Sequence, residues 1–143
     1  MSGWLLDTNI LSELRRKLPE PAVERFVAEQ PLSDLYVSEV TFAEIRFGIE
    51  LIGDHARRTE LHHWLDHRLR PLFDRRALPV TEDILREWRL IIETGRKRGH
   101  TFSHPDVLIA ATAAQHGLTV VTRNTIEFVA ASVAVFNPWK DTL

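Results

Sequence analysis

The 143-residue chain contains no cysteine. That excludes disulfides, thiolate nucleophiles and cysteine-based zinc sites. It contains no run of about 18 apolar residues, so no membrane span is expected. Its first acidic residue, Asp7, comes too early for a signal peptide to precede it, and a cytoplasmic protein is the expectation. Charge of one sign is also lacking. The 18 basic and 20 acidic side chains leave a formal charge of −2. That is not the footprint of a dedicated nucleic-acid binder. A nuclease can still be near-neutral, because metal ions offset its acidic site. Internal repeats, low-complexity tracts and linkers are missing too. What remains, 44% hydrophobic and 27% charged residues, suits one compact domain spanning residues 1–143.

Short apolar runs alternate with helical patterns along the chain. Gly3 to Leu6, Leu35 to Val37, Ala77 to Val80, Thr119 to Thr122 and Ala134 to Phe136 read as strands. Helices are expected over Asn9–Arg16, from Pro21 with Val23, Phe26 and Val27 on one face, and from a Ser38 cap to about Ile52. Val40, Ile45, Phe47 and Leu51 supply the apolar positions of the third. Asp54 to Leu72 reads as one long amphipathic helix, with Leu61, Leu65, Leu69 and Leu72 at helical spacing and Trp64 beside them. Thr81 caps the next, whose core face is Ile84, Leu85, Trp88, Ile91 and Ile92 and whose end is Gly99. Pro105 opens an apolar helix, Asp106 to His116, closed by Gly117, and Arg123 to Phe128 is a loop or short helix. Strands alternating with helices predict an α/β fold with a mainly parallel sheet flanked by helices.

Four positions in this pattern can carry chemistry. Asp7 ends the first strand, Glu44 lies in the helix after the second, Asp106 is in the first turn of its helix, and Asn124 follows the fourth strand with Glu127 behind it. If the strands are parallel, all can face the crevice beyond their carboxyl ends. Clustered carboxylates repel one another unless a cation is present. Oxygen ligands without cysteine favour Mg²⁺ or Mn²⁺ over zinc. Such an ion can activate water, and a second can stabilise the leaving oxygen of a phosphodiester.

Each residue also has a plainer role. Asp7 suits a helix N-cap, Asp106 complements a helix dipole, Glu44 suits a solvated helix face, and Asn124 suits a turn. Arg123 can hold a phosphate or pair with a site carboxylate, and Arg46 carries the same ambiguity. His63 and His67 lie four apart, a zinc-compatible spacing without an evident third ligand, beside His62. His104 reads as a loop histidine, and Arg96-Lys97-Arg98 as dipole complement or weak RNA contact. A phosphatase or receiver-like domain with Asp7 as nucleophile is a further alternative, but it needs a placed lysine, and lysines are few.

Four stretches are similar, in order, to the signatures of PIN-domain proteins: Leu5-Leu6-Asp7-Thr8-Asn9, Val40 through Gly48 around Glu44, Asp106 through Ala113, and Val121-Thr122-Arg123-Asn124. With the closing Val133 through Trp139, the chain most resembles VapC toxins of the FitB-like kind. The resemblance implies a Mg²⁺- or Mn²⁺-dependent ribonuclease that acts as the toxin of a toxin–antitoxin pair. It implies a homodimer inhibited by a small DNA-binding antitoxin of the VapB or FitA type, a state that also allows a dimer of toxin–antitoxin dimers. The family's first three acidic positions fall on Asp7, Glu44 and Asp106. The fourth, often Asp, is Asn124, which can ligate a cation without adding charge. That substitution leaves an alternative: a catalytically decayed module that binds RNA or a partner. Glu127 matches a further acidic position, and Thr8 and Thr122 match hydroxyls that orient ligands or water.

Overall fold

The computed structural model describes residues 3–143. Among these, five strands form one sheet: β1 (Trp4–Leu6), β2 (Leu35–Ser38), β3 (Ala77–Leu78), β4 (Thr119–Val121) and β5 (Val135–Phe136). Their spatial order is β3-β2-β1-β4-β5, and every pairing is parallel. Parallel strands need crossover connections, which helices supply. These are α1 (Thr8–Leu14), α2 (Pro21–Glu29), α3 (Glu39–Glu50), α4 (His55–Trp64), α5 (Glu82–Lys97), α6 (His104–His116) and α7 (Thr125–Ala130). No described helix is long and apolar enough to cross a membrane.

Side chains alternate across a strand, so neighbouring leucines in β1 serve opposite cores. Leu6 and Val121 pack with Ile10, Val23, Phe26 and Phe42 on one face. Leu5 and Val120 pack with Ile109, Ala110, Ala113 and Phe128 on the other. Both faces are covered, which is why these strands read as unbroken apolar runs. The result is the expected α/β architecture: helices on both sides of a parallel sheet.

Three apolar assignments move to solvent. Phe47 is 57% and Leu51 71% exposed, whereas Thr41, Phe42 and Ile49 of α3 face inward. Leu85 is 42% exposed because Ile84, one position earlier, points into the core. The predicted long helix is also interrupted. After α4 the chain makes a π turn at Leu65–Leu69, in which the Arg70 N–H reaches back to the Leu65 carbonyl, and then a last turn, Arg70–Leu72. Pro71 explains the widening: it has no N–H, and its ring crowds the carbonyl four residues back. The inward position consequently shifts from Leu72, which is exposed, to Phe73, which is buried.

Caps hold the helices that carry the candidate site. Gly117, at φ 65°, closes α6 in the left-handed region. Ser38 is buried at the end of β2, and its Oγ accepts the Val40 N–H at 3.0 Å. Ser38→Ala should therefore destabilise the protein by about 1 kcal/mol, a Tm drop of roughly 2–8 °C in a thermal melt, and Ser38→Thr should recover most of it.

Candidate active site

The strand order places a switch point between β1 and β4. From β1 the chain builds outward through β2 and β3, then returns to add β4 and β5 on the other side. Ligand sites in open parallel sheets lie beyond the carboxyl ends of the strands at such a point. Leu6 pairs with Val121, so the next residues, Asp7 and Thr122, emerge side by side.

Asp7 is buried, at 4% exposure. Its Oδ1 accepts the Thr8 N–H at 2.8 Å. Its Oδ2 accepts the Thr122 hydroxyl at 2.8 Å and the Asn9 amide at 3.3 Å. Burial pushes the Asp7 carboxyl above its ordinary range. The donors from Thr122, Thr8 and Asn9 work against that rise, and the negative charge of Asp106 adds to it. Asp106, in the first turn of α6, is also raised, first by burial and then by the charge of Glu127, while Ser103 lowers it. Asn124 donates its Nδ2 to Asp106 Oδ2 at 3.3 Å, and its own N–H goes to Thr122 Oγ1 at 3.0 Å. One threonine hydroxyl thus ties the Asp7 end of the site to the Asn124 end.

Asp7, Thr8, Glu44, Asp106, Arg123 and Asn124 all line one cleft of about 700 Å³. Glu44 reaches its rim from α3, where it is exposed. Glu127 sits behind Asp106 and outside the cleft lining, with Oε2 3.5 Å from His100 Nε2. Among the described residues, no three Asp, Glu or His side chains gather closely enough to hold a metal ion as they stand. The carboxylates that sense one another directly are Asp7 with Asp106, and Asp106 with Glu127.

Other candidates disperse. His63, in α4, and His67, in the π turn, have tilted rings with centroids 4.6 Å apart, outside the cleft that Asp7 and Asp106 line. His104 packs toward Trp88 at 6.1 Å. Arg46 pairs with Glu50 at 3.4 Å, and Arg96 with Glu93 at 2.6 Å.

Several cleft residues escape the sequence reading. Asn9 and Ser12 of α1 and Arg16 just beyond its end line the cleft, and their i, i+3, i+7 spacing is the signal that marks them. Asn9 bridges the site: its amide donates to Asp7 and Thr122, and its Oδ1 accepts the Arg123 N–H at 3.2 Å. The cleft opens past Thr8, Ser12, Arg16 and Glu44 into a groove of about 1060 Å³. Arg15, Lys17, Arg57 and Arg68 line that groove against Glu60, a basic concentration in a chain of net charge −2.

The PIN domain sequence model matches residues 4–132. The chain is 42% identical to Toxin FitB of Neisseria gonorrhoeae, covering 96% of this chain and 99% of that protein. It is 36% identical to VapC ribonuclease Y4jK of Sinorhizobium fredii, over 95% and 97% of the two chains. The crystal structure of FitAcB from Neisseria gonorrhoeae superposes with a TM-score of 0.91 at 41% identity, over 96% of this chain and 99% of that one.

The raised Asp7 carboxyl makes a signed prediction. Below its ordinary value of 3.8, folded and unfolded chains are both protonated there. As pH rises, the unfolded chain ionises first, the folded state holds the extra proton, and stability falls until the folded carboxyl ionises too. In metal-free buffer, the stability of Asp7→Asn relative to wild type should thus increase upward from about pH 4 and then level off. Urea midpoints across the pH range measure the difference; a gap that shrinks with rising pH contradicts the assignment.

Proposed function

The chain belongs to the PIN-domain family, and from that premise we propose a metal-dependent ribonuclease that acts as the toxin of a toxin–antitoxin pair. One observation carries the reading: two partly desolvated carboxylates, Asp7 and Asp106, repel each other in a cleft at the switch point of a parallel sheet. The groove rich in arginine that continues the cleft suits a phosphodiester chain. The antitoxin is a VapB- or FitA-like protein, the working form is a homodimer, and the site of action is the cytoplasm.

In this reading Asp7, Glu44 and Asp106 hold Mg²⁺ or Mn²⁺, with Asn124 assisting. The donor set fits: it is all oxygen, and Mg²⁺ commonly binds through one or two carboxylates while keeping several waters. When bound, the ion supplies Lewis-acid polarisation of the phosphodiester and activation of water. The chain's own residues prepare the site. Thr122 and Asn9 orient Asp7 Oδ2, Thr8 fixes Oδ1, and Asn124 turns Asp106 toward the same cleft. Arg123 stands at the cleft wall, where a substrate phosphate would pass.

Asn124 favours one competing reading, the binding module that has lost catalysis. It presents an amide donor to Asp106 where relatives often carry an acid. Metal titration separates the two. A ribonuclease site is stabilised by Mg²⁺ or Mn²⁺, by about 2.7 kcal/mol at a hundred-fold excess over Kd, and its Tm rises.

Purified, antitoxin-free protein should cleave total bacterial RNA with Mg²⁺ or Mn²⁺ and stop in EDTA. Asp7→Asn should lower the rate by more than about 100-fold and abolish the metal-dependent Tm gain. Thr122→Val, which removes only an orienting hydroxyl, should cost about 10- to 100-fold. Equal rates for wild type and Asp7→Asn would refute the site.

A further inference from the structure

The closing Asn137-Pro138-Trp139 segment has no part in the chemistry described so far, yet Trp139 lines the same cleft as Asp7 and Asp106. The indole is half-buried, anchored against the core that contains Leu6 and Phe136. Its backbone is pinned locally: the Trp139 N–H donates to Asn137 Oδ1 at 2.9 Å, and the Asn137 N–H to Asp141 Oδ2 at 2.8 Å. The Arg123 guanidinium lies over the ring, 5.1 Å from its centroid. Asn9 fixes the Arg123 backbone from the catalytic side.

We propose that Trp139 and Arg123 form a nucleobase platform beside the scissile phosphate. The proposal rests on the ribonuclease reading and adds a binding site to it. Aromatic rings and guanidinium planes are the surfaces on which unpaired bases stack. Here the guanidinium sits 5.1 Å from the ring centroid, and both residues line the wall of a cleft whose volume suits a small ligand. A packing role accounts for the buried edge of the indole. It does not account for a cationic plane held over the ring at the lip of a phosphate-cutting cleft. With a substrate phosphate at the carboxylates, the adjoining base lies against this pair. Stacking of this kind is tolerant of base identity, so the platform sets affinity and position without choosing the sequence.

The test compares two probes of equal charge in EDTA, which blocks cleavage: a short fluorescein-labelled oligoadenylate and the same ribose-phosphate strand without bases. Wild type should bind the oligoadenylate about 5- to 150-fold more tightly than the baseless strand, the range for one stacked base. Trp139→Leu should lose that gap and bind the baseless strand as wild type does, and Trp139→Phe should keep most of it. Oligoadenylate should quench wild-type tryptophan fluorescence, and in Trp139→Phe most of that quench should vanish; this arm stands even if Trp139→Leu does not fold. No gap in wild type, or a full gap in Trp139→Leu, overturns the proposal. A protein that shows the gap but never cleaves RNA overturns the ribonuclease reading alone. One that cleaves without the gap overturns the platform alone.

Discussion

Burial of the Asp7 carboxylate is the constraint around which this molecule is arranged. Removing such an ion from water costs several kcal/mol even after relaxation. Three donors offset part of that cost: the Thr8 N–H, the Thr122 hydroxyl and the Asn9 amide. Two come from the segment that follows β1 directly. The third exists only because β4 lies beside β1 in parallel, with Leu6 opposite Val121. A slip of one residue in that register would turn Thr122 to the other face of the sheet. The apolar layers above and below the sheet, through Leu5 and Val120 on one side and Leu6 and Val121 on the other, hold the register that delivers the hydroxyl.

The offset is incomplete, since burial and Asp106 still leave the Asp7 carboxyl raised. Positive charge is near but committed elsewhere. Arg16 pairs with Glu13 at 3.3 Å, and Glu13 is held below the ordinary carboxyl range, first by the Glu20 N–H and then by Arg16. Arg123 lies over Trp139. Among the described residues, Asp7 and Asp106 make no ion pair, while Arg16 and Arg123 beside them are already engaged. A protein selected only for stability would pair them. Leaving such charges unpaired carries the stability cost common at functional sites.

The strand-to-helix junctions are legible in the sequence because both determinants are local. Continuous apolar runs mark strands buried on two faces, and Ser38, Thr81 and Gly117 act as caps at the expected positions. The convergence of Asp7, Asp106 and Asn124 follows once the strands are parallel. Less legible is anything set by phase or by distant partners. Phe47, Leu51 and Leu85 have the right hydrophobicity on the wrong side of their helices. The π turn depends on how Pro71 is accommodated in three dimensions. Asn9 looks like a helix residue until Arg123, far away in sequence, arrives beside it. The basic groove joins arginines from the turn after α1, from α4 and from the π turn, which no single stretch reveals.

Asn124 shows how one amide tunes the whole site. An acid there would add a negative charge beside Asp106, which Glu127 already disfavours as an anion. The amide instead donates to Asp106 Oδ2 at 3.3 Å without adding a negative charge. A cation bound there would have fewer anions to neutralise and would be correspondingly less tightly held. Asn124, Thr122 and Asp7 form one hydrogen-bonded chain across the switch point. Trading charge for orientation in this way lowers electrostatic strain without loosening the geometry. In the proposed ribonuclease, attraction for a cation would therefore rest mainly on Asp7, the more deeply buried of the two carboxylates.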